Sequence, residues 1–92
     1  MKINFTRHNL KKIENIFSEI SFKVRYEKGA FKSGYCIVEK SNIIVVNKFF
    51  DIEGRISCLI DILRVLDTDF DGLSSNSRKL LTALRKDIVE VE

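Results

Sequence analysis

Proline and tryptophan are absent from the 92 residues, histidine occurs once, and there are only two cysteines and four glycines. Because the chain also has no low-complexity tract and no internal repeat, no linker divides it, and the sequence predicts a single domain over residues 1–92. Apolar residues make up 45% of the chain and charged residues 32%. That composition is typical of a folded globular protein and argues against disorder.

The scarcity of cysteine and histidine limits the chemistry that the chain can carry. Cys36 and Cys58 stand 22 positions apart with no CxxC pair, and the only histidine, His8, lies in a polar stretch. A secreted domain of this size would usually have more cysteines, so we expect both thiols to be reduced and buried. We predict no metal, no cofactor and no catalytic residues, and hence a protein that is not an enzyme.

Long apolar runs are also missing. The N-terminus has no continuous apolar segment of the kind that a signal peptide needs, and no run approaches the 18 residues of a membrane span. The sequence therefore predicts a cytoplasmic protein with no membrane partner.

Charge is distributed unevenly along the chain, whose net charge is +3. Residues 1–48 contain ten Lys and Arg against four Glu, a charge of +6, whereas residues 49–92 contain six against nine acidic residues, a charge of −3. Such polarity can steer an acidic partner to one end of a molecule, or two ends of a compact fold can simply attract each other. We do not expect nucleic acid to be the partner, but nucleic-acid binding through the basic N-terminal half stays open as an alternative.

Three segments have the periodicity of amphipathic helices. The first follows Thr6, a favourable N-cap, and continues to Ile20. The second runs from Asp51, another favourable N-cap, to about Leu66, and its apolar arc is unusually wide, which is typical of a central helix. The third covers roughly Ser77–Val91 and has a simple apolar stripe.

Three segments between the first two helices are predicted strands. Residues 22–27 alternate strictly between apolar and charged, whereas residues 35–39 and 43–47 are apolar on both faces. The loops between them are short, and parallel pairing needs a long crossover. The predicted fold class is therefore α+β, with the order α-β-β-β-α-α and a three-stranded antiparallel meander packed by three helices.

The apolar character of both strand faces points to a protein partner. Helices on one side of the sheet would leave the other side exposed to solvent, so either helices cover both faces or a second copy of the chain covers one. We therefore predict a protein-interaction or self-association module, with a homodimer or an unidentified protein as its partner. The predicted interaction surface comprises Tyr35, Ile37, Ile43, Val45, Phe31 and Lys32.

One acidic segment imitates a calcium site. Residues 67–72, DTDFDG, match the opening of a calcium-binding loop, because hard cations favour several carboxylate oxygens and glycine permits a sharp turn. The eighth position of such a loop is Ser74 instead of an aliphatic residue, and the twelfth is Arg78 instead of a bidentate glutamate. We prefer to interpret these acidic residues as the end of one helix and the cap of the next.

Two resemblances are carried by the central part of the chain. Residues 24–36, VRYEKGAFKSGYC, followed by 43–48, IIVVNK, resemble a family of small uncharacterised bacterial proteins of about this length, which implies no particular activity. The strand ending at Asn47 and the helix segment 55–64, RISCLIDILR, are similar to the edge strand and active helix of compact zinc metallopeptidases. In those enzymes two histidines of HExxH bind zinc. Ile60, Asp61 and Arg64 occupy the positions of the first histidine, the glutamate and the second histidine. This resemblance implies a zincin-like scaffold without its metal, and leaves a degenerate hydrolase as a further alternative.

Overall fold

A computed structural model describes residues 4–29, 34–66 and 70–90 of the chain. It contains three α-helices and a three-stranded sheet, which confirms the α+β class. The helices are α1 (Arg7–Glu19), α2 (Ile52–Val65) and α3 (Ser75–Glu90), and the strands are β1 (Lys23–Glu27), β2 (Tyr35–Val38) and β3 (Ile43–Asn47).

Local hydrogen bonds explain where the helices begin. The Thr6 hydroxyl accepts a hydrogen bond from the Asn9 amide at 3.1 Å, and the Asp51 carboxylate accepts one from the Gly54 amide at 2.8 Å. Both side chains satisfy amides that have no partner within the first helical turn, so both predicted N-caps are confirmed. The third helix begins at Ser75, two residues before the predicted start.

The sheet differs from the predicted antiparallel meander. Its strand order is β1-β3-β2, and β1 pairs with β3 in parallel while β2 pairs with β3 antiparallel. A single turn of 3₁₀ helix, Glu39–Ser41, and Asn42 in the left-handed conformation (φ 52°) reverse the chain between β2 and β3.

Two physical features account for this order. The central position is taken by β3, whose IIVV sequence is apolar on both faces, whereas the strand with alternating charges, β1, lies at an edge. The crossover that parallel pairing needs is supplied by the whole segment between β1 and β3, including β2. The seven residues between β1 and β2 need to cross only two strand spacings, about 10 Å, which is well within their reach.

Helices α1 and α2 pack on one face of the sheet, and α3 packs against α1. Ile44 and Val46 of β3 are fully buried there and contact the apolar stripes of the helices. The side chains with no exposed area in this core are Ile13, Ile16, Phe17, Ile44, Val46, Ile56, Leu59 and Ile62. The broad apolar arc of α2 fits its position, because it contacts both α1 and β3.

Candidate functional site

The face of the sheet opposite the helices is not covered by any element that the structure describes. We call it the open face, and its side chains are Lys23, Arg25, Glu27, Cys36, Val38, Ile43, Val45 and Asn47. The strand registers align them in rows across the sheet, with Arg25 beside Val45 and Val45 beside Cys36. Lys23 similarly lies beside Ile43, which lies beside Val38. The open face therefore has an apolar centre and one apolar edge, with charges along the other edge.

Exposure differs systematically across this face. Val38 is 40% exposed, and Cys36 at the same edge is also exposed. Ile43 and Val45 on the central strand are half-buried, since the neighbouring strands flank them on both sides. Apolar side chains in such a continuous group are what an interface presents to a partner, whereas a single exposed apolar residue would need no explanation.

The charged edge is partly neutralised within the molecule. The Nε atom of Arg25 lies 2.9 Å from a carboxylate oxygen of Glu27, with the side chains 52% and 44% exposed. At that exposure an ion pair contributes at most a few tenths to about 1 kcal/mol of stability. Lys23, one row away on the same strand, is also exposed.

The structure divides the predicted interaction surface between two faces. Ile43 and Val45 lie on the open face, but Tyr35 and Ile37 pair with Val46 and Ile44 and pack with them against the core. The reason is the register, because residues directly opposite each other on antiparallel strands point to the same side. The other two predicted residues, Phe31 and Lys32, lie outside the described residues.

Six residues of the open face were absent from the predicted surface. These are Lys23, Arg25, Glu27, Cys36, Val38 and Asn47. Alternation along each strand could have identified them, but the order of the strands was needed to join them with Ile43 and Val45. The antiparallel meander would have separated β1 from β3.

The two thiols occupy different environments, so the prediction that both are buried is wrong for Cys36. Cys36 is exposed on the edge strand β2, whereas Cys58 is buried in α2. Burial raises the pKa of the Cys58 thiol, and the nearby carboxylate of Asp61 raises it further. Of the two, only Cys36 is accessible to reagents.

The positions of the zincin-like resemblance lie together on α2. Ile60 is half-buried and packs against the core, whereas Asp61 and Arg64 are exposed. Among the described residues, no group of three or more His, Cys, Asp and Glu side chains could hold a metal ion. In the calcium-like segment residues 67–69 lie outside the described residues, and the Arg78 guanidinium donates to the carbonyl oxygens of Phe70 and Asp71 at 3.5 and 3.2 Å.

A polar cluster joins α1, β1 and α2 at the end of β1. The Tyr26 hydroxyl donates to the Glu14 carboxylate, and the Arg55 guanidinium stacks 4.3 Å from the centre of the Tyr26 ring. Arg55 also donates to the carbonyl oxygens of Phe50 and Lys48, at 3.0 and 2.8 Å. Burial, and then the bond to Glu14, raise the pKa of Tyr26. Each donor and acceptor has a structural partner, so we assign this cluster to the stability of the fold.

Comparison with family models, with curated proteins and with solved structures gives no match for this chain. The resemblances that the sequence suggested therefore stay predictions. Within the described parts of the chain, no helix combines the length and apolar character needed to traverse a lipid bilayer.

Proposed function

We propose that this chain is a non-catalytic assembly module in which two copies join through their open faces. The observation that supports the proposal is the uncovered apolar group of the open face, made by Ile43, Val45, Cys36 and Val38. Among the elements that the structure describes, helices lie on one side of this three-stranded sheet and no other layer packs against that group.

The arrangement of charges favours a second copy of the chain as the partner. Two open faces can be related by a two-fold axis that runs across the strands, along the row formed by Arg25, Val45 and Cys36. Such an axis stacks Val45 on the Val45 of the second copy and brings Lys23 of each copy over Glu27 of the other. The repulsion between the two Arg25 side chains at the edge is reduced, because each is paired with Glu27 of its own chain.

The dimensions of the sheet set the expected strength of this association. Three strands about 4.8 Å apart and five residues long cover roughly 15 by 17 Å, or about 250 Å². Stable complexes bury about 800 Å² per partner. Even with the long side chains at the edges, we expect a weak dimer, with a Kd of the order of 100 μM.

Analytical ultracentrifugation from about 10 μM to 1 mM tests the proposal. The wild-type mass should rise with concentration from 10.7 kDa toward that of a dimer. Val45→Glu should stay monomeric, because it places two carboxylates against each other at the two-fold axis. The matched control is Val65→Glu on α2, since Val65 is 64% exposed and lies away from the open face. A wild-type monomer at 1 mM, or equal effects of the two variants, would refute the proposal.

A second candidate is binding of single-stranded nucleic acid on the same face. It is favoured by the two exposed basic residues Lys23 and Arg25, but the open face, as far as the structure describes it, contributes no aromatic ring on which bases could stack. Titration with a fluorescent oligothymidine at 50 and 200 mM salt distinguishes the two candidates. Binding that weakens steeply with salt and is lost in Arg25→Glu supports nucleic acid, and the absence of binding rules this second candidate out.

A further inference from the structure

A second surface, which shares Lys23 and Ile43 with the open face, lies beside the outer edge of β1. A groove of about 620 Å³ runs between α1 and this edge and reaches the beginning of β3. Its walls include Lys11, Glu14, Ser18, Val24, Tyr26 and Ile43. The volume is within the range of about 300–1,000 Å³ that is usual for ligand-binding clefts.

The pairing of β1 with β3 determines which backbone groups point into this groove. The Lys23 amide donates to the Asn42 carbonyl at 2.8 Å, and the Glu27 carbonyl accepts from the Lys48 amide at 3.0 Å. In a parallel ladder, alternate residues direct both their N–H and C=O groups to the same neighbour. Residues 23, 25 and 27 therefore bond to β3, while Val24 and Tyr26 direct theirs away from the sheet, along the groove.

No backbone within residues 4–29, 34–66 and 70–90 pairs with those outward groups of Val24 and Tyr26. An edge strand that presents two donors and two acceptors in register is a template for an added strand. Because α1 forms the opposite wall, an added strand would lie between a helix and a sheet edge, with its side chains directed alternately toward the two faces of the extended sheet.

The charges of the groove favour an acidic occupant. Lys11 on α1 and Lys23 at the start of β1 both line it, and both are exposed. Among the described residues that line the groove, the one acidic side chain is Glu14, which already accepts the hydrogen bond from the Tyr26 hydroxyl. Carboxylates of an incoming peptide would thus meet two amines and little competing negative charge.

We infer that the groove between α1 and β1 binds an extended acidic peptide segment of a partner protein, which adds to the sheet as a fourth strand beside β1. Backbone hydrogen bonds to Val24 and Tyr26 hold the peptide, and Lys11 selects for acidic side chains.

The probe for this inference is the capped heptapeptide EVEVEVE, titrated into ¹⁵N-labelled full-length chain and followed by NMR. We expect saturable shifts of the Val24 and Tyr26 amides and slower hydrogen exchange at both. A fully N-methylated form of the probe keeps each side chain and charge but has no backbone donor, so it should not bind. The lysine analogue KVKVKVK should bind more weakly than the acidic probe.

Charge reversal at neighbouring positions of α1 provides the matched protein variants. Lys11→Glu should weaken binding of the acidic probe by about three- to tenfold, because it replaces an attraction with a repulsion. Lys12→Glu changes the net charge equally but alters a residue that lines a different groove, so its effect should stay below about twofold.

Several results would overturn the inference. They are shifts confined to open-face residues such as Val45, equal binding of the N-methylated or lysine peptide, and equal effects of the two α1 variants. Concentration-dependent protection of Val24 and Tyr26 without peptide would instead mean that β1 pairs with a second copy. Repeating the titration with Val45→Glu separates this groove from the assembly proposal, since binding should persist when association through the open face is lost.

Discussion

Gly34 combines a left-handed backbone with close packing, which only glycine tolerates. Its φ is +84°, and a Cβ atom built on it would overlap the ring of Phe50. Its carbonyl also accepts from the Asn47 amide at 2.9 Å, so the backbone here cannot move without disturbing the end of the β2–β3 ladder.

Gly34→Ala should therefore lower the free energy of unfolding by about 2–4 kcal/mol. About 1–2 kcal/mol of this comes from the left-handed conformation, and the rest from overpacking against Phe50. Urea denaturation followed by circular dichroism measures the loss. In a Phe50→Leu background the same substitution should cost less, because the overlap is relieved while the backbone strain stays. An undiminished cost in that background would show that the ring contact contributes nothing.

Glu19 forms a cap between two helices that are distant in sequence. Its carboxylate accepts hydrogen bonds from the Ser74 amide and the Ser77 hydroxyl, both at 2.6 Å, at the beginning of α3. These two bonds, with that to Ser77 the larger effect, hold the pKa of Glu19 below its usual value. A carboxylate is also favourable at this end of a helix dipole.

The lowered pKa predicts the sign of a pH dependence. Since the unfolded chain binds the proton more tightly, the contribution of Glu19 to stability is complete above its ordinary pKa and is lost as the pH falls through the lowered folded value. Urea unfolding at a series of pH values from 7 to 3 should show Glu19→Gln less stable than wild type at pH 7, with the difference shrinking in acid. Ser77→Ala removes one of the two donors, so its stability at pH 7 should lie between those of the wild type and Glu19→Gln. A difference that is constant with pH would contradict this assignment.

At the scale of the residue, hydrogen bonds between neighbours in sequence could be predicted, whereas those between distant residues could not. Thr6 and Asp51 cap their own helices through amides three residues away, so their neighbours in sequence reveal their role. Glu19 acts on residues 55 and 58 positions away. Nothing near Glu19 in the sequence indicates that bond, because it depends on how α1 and α3 pack.

At the scale of the element, β3 offers a direct test of which side of the sheet is the core. Ile44 is fully buried, whereas its neighbour Ile43 is half-buried on the open face. Ile44→Ala should lower the free energy of unfolding by about 2–5 kcal/mol, which is the usual cost of a cavity left by a large aliphatic side chain. Ile43→Ala should cost less than about 1 kcal/mol, since it leaves no enclosed cavity.

Thermal and urea denaturation of the two variants at low protein concentration measure these costs. The pair is matched in residue type, strand and secondary structure, so β-propensity cancels between them. Low concentration is needed so that association through the open face does not add to the stability of the wild type. A greater cost at Ile43 would place the core on the other side of β3, and equal costs would mean that both faces of β3 are buried.

The type and number of the elements could be predicted from periodicity, but the order of the strands could not. The pattern of β3 is apolar at each of its first four positions, which is equally compatible with the centre of a sheet and with a sheet covered on both sides. The short loops favoured sequential neighbours, although the chain between β1 and β2 is long enough to reach past one strand. The better signal was the contrast between the charged β1 and the apolar β3, because a strand with alternating charged residues is suited to the edge of a sheet.

At the scale of the whole molecule, the described helices leave one side of the sheet without a second layer. The apolar residues on both faces of β2 and β3 predicted that both faces need cover, and the described helices cover only one of them, with α1 against β1 and α2 against β3. The sequence could therefore indicate that an interface exists. Which residues share it depended on the register, which places Cys36 beside Val45 rather than among the buried residues.

The position of Cys36 provides a test of the two-fold arrangement itself. An axis along the row of Arg25, Val45 and Cys36 brings the Cys36 thiols of the two copies opposite each other, and facing sheets pack about 10 Å apart. That separation is too long for a direct disulfide but suits a short bismaleimide. At about 0.5 mM, the wild type should therefore form a covalent dimer on a denaturing gel, and Cys36→Ser should not, because Cys58 is buried.

Two controls separate this geometry from random collision between accessible thiols. Ser57→Cys in the Cys36→Ser background moves the reactive thiol to an exposed position on α2, and Val45→Glu keeps Cys36 but abolishes the association. Neither should cross-link above the level seen for the wild type at 10 μM. If the Ser57→Cys protein cross-links as well as the wild type, collision accounts for the dimer. If both controls fail to cross-link while the wild type does so, the open faces meet with the two Cys36 thiols within reach of the linker, as the alignment of the central rows requires.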